Sequence, residues 1–179
     1  GWTVSVNLSA RQFQQPDLAD LVARTLAETG LEPRYLVLEI TESVVMAEAE
    51  STVQRLRTLK GLGVQLAIDD FGTGYSSLTY LKKYPIDYVK IDRTFVSTLD
   101  AGDDDGVIVS ATVSLAHALG MKIVAEGAER TEQVTRLKRL GCDLAQGYWF
   151  ARPCPPDEID RSYGPAGRGQ VSLTGVVGA

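Results

Sequence analysis

Strand-like apolar runs alternate with helix-like periodic stretches along most of the chain, and few folds accept that alternation. Six runs read as strands: Val4–Leu8, Leu36–Ile40, Val64–Asp69, Tyr88–Asp92, Lys122–Glu126 and Gln146–Phe150. Most are nearly continuous in apolar residues, the pattern of strands buried on both faces of a parallel sheet. Helical patterns lie between them. Pro16 opens a helix whose inward face holds Leu18, Leu21, Val22 and Leu26, with Gly30 as its stop. Val53, Leu56 and Leu59 recur before Gly61 and Gly63, and Ile108, Ala111, Leu115, Ala118 and Leu119 before Gly120. Thr131 caps a helix carrying Val134, Leu137 and Leu140, ended by Gly141. The strand–helix interval is close to the roughly 30 residues of a βαβ unit. The expected fold is therefore α/β with a parallel sheet. An open doubly wound sheet and a closed barrel both fit. A barrel takes eight strands and typically about 250 residues, so a barrel of six strands in 179 residues lacks its first part. No internal repeat is visible beyond the alternation.

Composition narrows the classes. Hydrophobic residues at 44% and charged residues at 23% are ordinary for one globular domain. No uninterrupted apolar run reaches the roughly 18 residues of a membrane span, and Gly1-Trp2-Thr3 has no export-signal pattern. A net charge of −5 argues against DNA and against direct membrane contact. Two cysteines, Cys142 and Cys154, make neither a disulfide framework nor a zinc spacing. A single histidine, His117, excludes multi-histidine metal sites. After about Arg161 the chain turns to Gly, Pro, Ser and small residues, so residues 1–162 read as the domain and 163–179 as a flexible Gly-rich tail.

Polar residues interrupt the apolar runs at their ends. Asn7, Glu39, Asp69 with Asp70, Lys90 with Asp92, Glu126 and Gln146 fall one group to each strand. In parallel α/β folds ligands sit beyond the carboxyl ends of strands, so these groups would converge on one rim. Five carboxylates on one rim repel one another, and one lysine cannot offset five, whereas hard divalent cations can. Oxygen ligands from Asp, Glu and Asn suit magnesium, manganese or calcium rather than zinc. Two metals sharing a carboxylate, about 3.5–4 Å apart, serve displacement at phosphorus. Asp69 or Asp70 is the bridging candidate, and Lys90 would orient a water. Each residue also has a plainer reading. A strand-end Asp caps helices, Asn7 satisfies a turn, Asp69–Gly74 is a Gly-containing turn, and Asp103–Asp105 is a solvated helix start. Recurrence on six strands favours the rim. His117 reads as structural or exposed, and Trp2, Tyr148, Trp149 and Phe150 as core.

Val6–Ser9, Leu38–Ser43, Asp69–Leu78, Val89–Asp92, Ala125–Glu129 and Ala145–Tyr148, in this order, resemble the EAL-domain family of cyclic di-GMP phosphodiesterases. The resemblance implies a TIM-like (β/α) barrel and hydrolysis of cyclic di-GMP to linear pGpG with two magnesium or manganese ions. By it, Asn7, Glu39 and Asp69 ligate one metal, and Asp69, Asp70 and Glu126 the second. Lys90 positions the attacking water, with Glu126 and Gln146 as further catalytic residues. Glu42 anchors the loop from Phe71 to Ser77. Asp92 and Glu129 are weaker substrate-binding candidates. The resemblance further implies a homodimer through the Phe71–Ser77 loop and the helix after it, fused sensory or diguanylate cyclase domains, and a cytoplasmic location, membrane-tethered in some parent proteins.

One departure opens a second reading. No Glu-Ala-Leu occurs in the sequence, although the family takes its name from that motif on an early strand, where the glutamate is a metal ligand and a following arginine contacts substrate phosphate. The expected architecture is thus an incomplete barrel of about six of eight strands. The expected function is either the phosphodiesterase or a module that binds cyclic di-GMP, or a protein, without turnover. A third, weaker reading is another metal-dependent phosphoester hydrolase.

Overall fold

The computed structural model describes residues 3–46, 49–72, 81–99, 103–163 and 175–176. They divide into two compact units, residues 1–90 with 118–121, and residues 91–117 with 122–179.

In the first unit, strands β1 (Val4–Leu8), β2 (Leu36–Thr41) and β3 (Gln65–Phe71) pair in parallel, with Asn7 opposite Glu39 and Thr41 opposite Asp69. Helix α1 (Ala10–Phe13) is held at its start by a reciprocal cap between Ser9 and Gln12. Helix α2 (Leu18–Thr29) buries Leu18, Val22 and Leu26 and stops at Gly30, whose φ of 70° gives the left-handed C-cap. Leu21, placed on the inward face by periodicity, is 46% exposed, because the buried stripe is the narrower 18–22–26 row. Helix α3 (Glu42–Met46) follows β2 directly, and α4 (Ala49–Gly61) leads into β3. Ile40, Leu56, Val64, Leu66 and Ile68 are fully buried. Val4 and Val6 of β1 stay half exposed. Strand β4 (Tyr88–Ile91) closes this part of the chain.

In the second unit, α5 (Arg93–Ser97) and the long α6 (Asp103–Ala118) precede β5 (Lys122–Ala125). Helix α7 (Thr131–Arg139) leads to β6 (Leu144–Ala145), which pairs in parallel with β5. Ile123, Ala125 and Leu137 are fully buried here. Helix α8 (Pro156–Tyr163) was not anticipated from the sequence. Strand β7 (Gly175–Val176) pairs antiparallel with β6, so part of the stretch read as a flexible tail has a strand partner; residues 164–174 and 177–179 lie outside the described residues.

Three expectations need correction. The sixth strand is Leu144–Ala145, not Gln146–Phe150. Gly147 turns the chain back, and Trp149 N–H then donates to the Ala128 carbonyl at 3.0 Å instead of joining a ladder. Tyr148 and Trp149 are accordingly not core but 53% and 44% exposed, with Trp149 Nε1 donating to Thr131 Oγ1 at 3.0 Å. The cap of α7 is Arg130, not Thr131. Buried Gln133 does the capping from within the helix: its Oε1 accepts the N–H groups of Glu129 and Arg130, and its Nε2 donates to the Val96 carbonyl. No helix among the described residues is long and apolar enough to cross a membrane.

Cys142 is buried, and burial, with the neighbouring Asp143 charge, pushes its thiol up to about 12. Below that pH the thiol stays neutral and a weak nucleophile. Iodoacetamide at pH 8 is therefore expected to modify Cys154 first and Cys142 only after denaturation, read by peptide mass mapping.

Candidate active site

In the first unit the polar strand ends come together around a lysine. Lys90 projects from β4 between Val89 and Ile91, which alternation turns to the opposite face. Its Nζ lies 2.5 Å from Glu39 Oε2 and 3.1 Å from Asp69 Oδ1. Glu39 and Lys90 are only 7% and 4% exposed. A buried charge pair of this kind persists only when both partners are present and well hydrogen-bonded. Two carboxylates share the one ammonium at this point, which leaves negative charge for a cation to meet. Asn7, exposed on β1, stands opposite Glu39 in the strand register.

Beyond Asp69 the strand turns. Asp70 has φ of 56°, uncommon for a residue with a side chain though less so for Asp. Its N–H donates to Asp69 Oδ1 at 3.0 Å, the same oxygen that Lys90 contacts. Buried Glu42, at the first turn of α3, accepts the Gly72 N–H at 2.9 Å. The loop is thus tied at Gly72, and residues 73–80 lie outside the described residues.

In the second unit Glu126 follows β5 and Gln146 follows β6. Gln146 Nε2 donates to Glu126 Oε1 at 2.5 Å, and Gln146 N–H to the Ala125 carbonyl at 2.8 Å. The next residue of each strand is a glycine for a steric reason. A Cβ on Gly127 would stand 2.6 Å from Arg93 Cβ, and one on Gly147 would stand 2.2 Å from the Ala128 carbonyl oxygen. Both have positive φ, 72° and 154°. The first approach brings the segment after β5 against the start of α5, and the second brings the segments after β5 and β6 together; a cleft of about 530 Å³ here is lined by Arg93, Glu126, Glu129, Gln146, Tyr148 and Arg152.

The sequence-derived candidates thus fall into two local groups. Glu39, Asp69 and Lys90 are in direct contact in the first unit, and Glu126 and Gln146 in the second. Asp92 is occupied as a helix cap: its Oδ1 accepts from Thr94 N–H at 2.8 Å and from Thr94 Oγ1 at 2.5 Å. Glu129 lines the cleft with an exposed side chain. Three lining residues escaped sequence reading: Arg93, Tyr148 and Arg152. The Arg152 guanidinium stacks 4.8 Å from the Tyr148 ring centroid. The available signal is an aromatic run followed by an arginine, Tyr148–Arg152, whose composition also fits a strand.

Comparison with known proteins follows the same lines. The family model described as EAL domain matches residues 2–153. The bifunctional diguanylate cyclase/cyclic di-GMP phosphodiesterase MucR of Pseudomonas aeruginosa is 48% identical over 158 residues, covering 88% of this chain and 23% of that protein. The solved MucR phosphodiesterase in complex with c-di-GMP superposes with a TM-score of 0.85 at 47% identity, covering 88% of this chain and 64% of that one. BlrP1 of Klebsiella pneumoniae, solved as a manganese/cy-diGMP complex, gives 0.78 at 33% identity, covering 85% and 39%. The chain therefore spans under a quarter of its curated relative MucR and about two-fifths of BlrP1. The likeness supports the α/β, TIM-like fold class read from the sequence.

Two outcomes are expected. Lys90→Met leaves buried Glu39 and half-buried Asp69 without this ammonium, and should lower stability by about 3–5 kcal/mol in urea unfolding at pH 7. The Thr94 hydroxyl and N–H hold the Asp92 carboxyl below the usual carboxylate range. A depressed folded-state pKa stabilises above the unfolded value and loses that contribution as pH falls through the folded one. Asp92→Ala should cost about 1 kcal/mol at pH 7 and progressively less on acidification below the ordinary Asp range.

Proposed function

This chain belongs to the EAL domain family, and we propose that it hydrolyses one phosphodiester of cyclic di-GMP to linear pGpG with two magnesium or manganese ions. The observation that carries this reading is Lys90 buried against both Glu39 and Asp69 at the ends of adjacent parallel strands. Such a group is costly to bury for stability alone, and perturbing environments of this kind cluster at functional sites.

The donor set fits hard divalent cations, being all oxygen: one amide and four carboxylates. We assign Asn7, Glu39 and Asp69 to one ion, and Asp69, Asp70 and Glu126 to the other. When bound, the ions supply Lewis-acid polarisation of the phosphate and stabilise its developing charge. The chain's own residues do the rest. Lys90 donates hydrogen bonds to a water and holds it in line with phosphorus. The water attacks, the P–O3′ bond breaks, and the departing O3′ takes up a proton while the water yields one to the site. Gln146 orients the Glu126 carboxylate through its 2.5 Å hydrogen bond. The Tyr148 ring and the Arg152 and Arg93 guanidiniums offer a stacking surface and positive charge suited to a purine nucleotide. Glu42 anchors the following loop through Gly72, and with it a homodimer through residues 71–77 and the helix after them. Asp92 and Glu129 are weaker substrate contacts. A cytoplasmic location and fused sensory or diguanylate cyclase domains complete the reading.

The test incubates this chain, and the full encoded protein containing it, with cyclic di-GMP and manganese, following pGpG by chromatography. Hydrolysis that stops on chelation is the expected result, with Lys90→Ala lowering kcat by about 100-fold or more and Asp69→Asn abolishing detectable turnover. Uncleaved cyclic di-GMP that still raises the melting temperature would instead favour a binding module without turnover.

A further inference from the structure

One acid-to-amide clamp recurs in each unit, at matching positions. In the first, Asp87 Oδ2 accepts the Leu66 N–H at 2.8 Å and Asp87 N–H donates to the Leu66 carbonyl at 2.9 Å. Lys60 Nζ donates to the same carboxylate at 2.7 and 2.5 Å. In the second, Asp143 Oδ2 accepts the Ile123 N–H at 2.8 Å and lies 2.8 Å from His117 Nε2. A nitrogen-bearing side chain, Lys60 or His117, stands six residues before the clamped amide in both cases, with Leu62-Gly63 and Leu119-Gly120 at the same places between them. Leu66 and Ile123 are fully buried, so their N–H groups need partners, and a carboxylate is a strong one.

What lies three residues on from each clamp gives it meaning. From Leu66 and Asp87 the chain reaches Asp69 and Lys90, which touch at 3.1 Å. From Ile123 and Asp143 it reaches Glu126 and Gln146, which touch at 2.5 Å. Three residues of strand run about 10 Å. Two equal arms leaving one clamp side by side bring their ends level. A slip of one residue would turn each side chain to the other face.

We propose that Asp87 and Asp143 are positioning residues: each locks two neighbouring strand starts so that the side chains three residues later meet, Asp69 with Lys90 and Glu126 with Gln146. Their bearing on turnover rests on the phosphodiesterase reading; the locking itself does not.

The test reads the second pair in ion-free protein through the NMR signal of the Gln146 side-chain amide. Asp143→Ala should release the Ile123 amide to exchange at least about tenfold faster and move the Gln146 signal to that of a solvated amide. Asp87→Ala should leave both as in wild type, because it acts on the other pair. Asp143→Asn keeps an acceptor oxygen and should retain the Gln146 signal. In turnover, Asp143→Ala should lower kcat about 10- to 100-fold, the usual effect of losing a group behind a metal ligand, with KM little changed, and Asp143→Asn should restore most of it. An unmoved Gln146 signal in Asp143→Ala would overturn the proposal. If that variant does not fold, Asp143→Glu, one methylene longer with the charge kept, must shift the signal, and a wild-type signal there overturns it equally. A wild-type protein that makes no pGpG sinks the phosphodiesterase reading alone, since the Gln146 signal still decides the clamp.

Discussion

The buried ammonium of Lys90 is the charge on which the first unit depends. It sits where water cannot screen it, and at effective interior dielectrics a charge a few ångströms from its partner is worth several times its value in solution. Glu39 and Asp69 supply that partnership from β2 and β3, and β4 delivers the lysine. None of the three is tolerable there alone. Their mutual need explains why polar groups interrupt strands otherwise built from residues such as Ile40, Ile68 and Ile91. It also leaves the cluster with more negative than positive charge, a condition that favours cation binding.

Around the strand ends, the backbone carries much of the organisation. Asp70 takes a left-handed conformation and ties its own N–H to Asp69. Glu42 holds Gly72. In the second unit Gly127 and Gly147 permit approaches that any Cβ would block, and Ala128 answers with hydrogen bonds to Gln146 and Trp149. The strands are short, and the candidate site residues sit at their ends on main chain held at several points. That is the usual division between scaffold and site in α/β proteins.

Much of this was legible in the residues, and its failures have physical causes. Continuous apolar runs located five of the six parallel strands closely, because burial on both faces leaves no room for polar residues. The sixth strand starts two residues earlier than expected and ends before Gln146, since Gln146–Phe150 has strand composition but Gly147 is obliged to turn. Asp92 reads as a rim group, and the structure adds that its side chain caps α5. Thr131 had the right type for a cap, and Gln133 took that role from inside the helix because a buried amide can satisfy two N–H groups at once. The recurrence of Lys60–Leu66 and His117–Ile123 is not legible in the sequence, because lysine and histidine share no obvious likeness until each is seen on an aspartate.

The sequence by itself determined the α/β alternation, the candidate polar strand ends and, through ordered motifs, the family. The alternation and the strand ends are properties of composition and spacing, which local chemistry and periodicity dictate, while the family rests on the resemblance of the motifs. Only the tertiary structure decided which polar groups touch: that Lys90 serves both Glu39 and Asp69, that Gln146 meets Glu126, and that Asp87 and Asp143 clamp amides some twenty residues away. Contacts between strands depend on register, and register is set by long-range hydrogen bonds that no local stretch of sequence encodes.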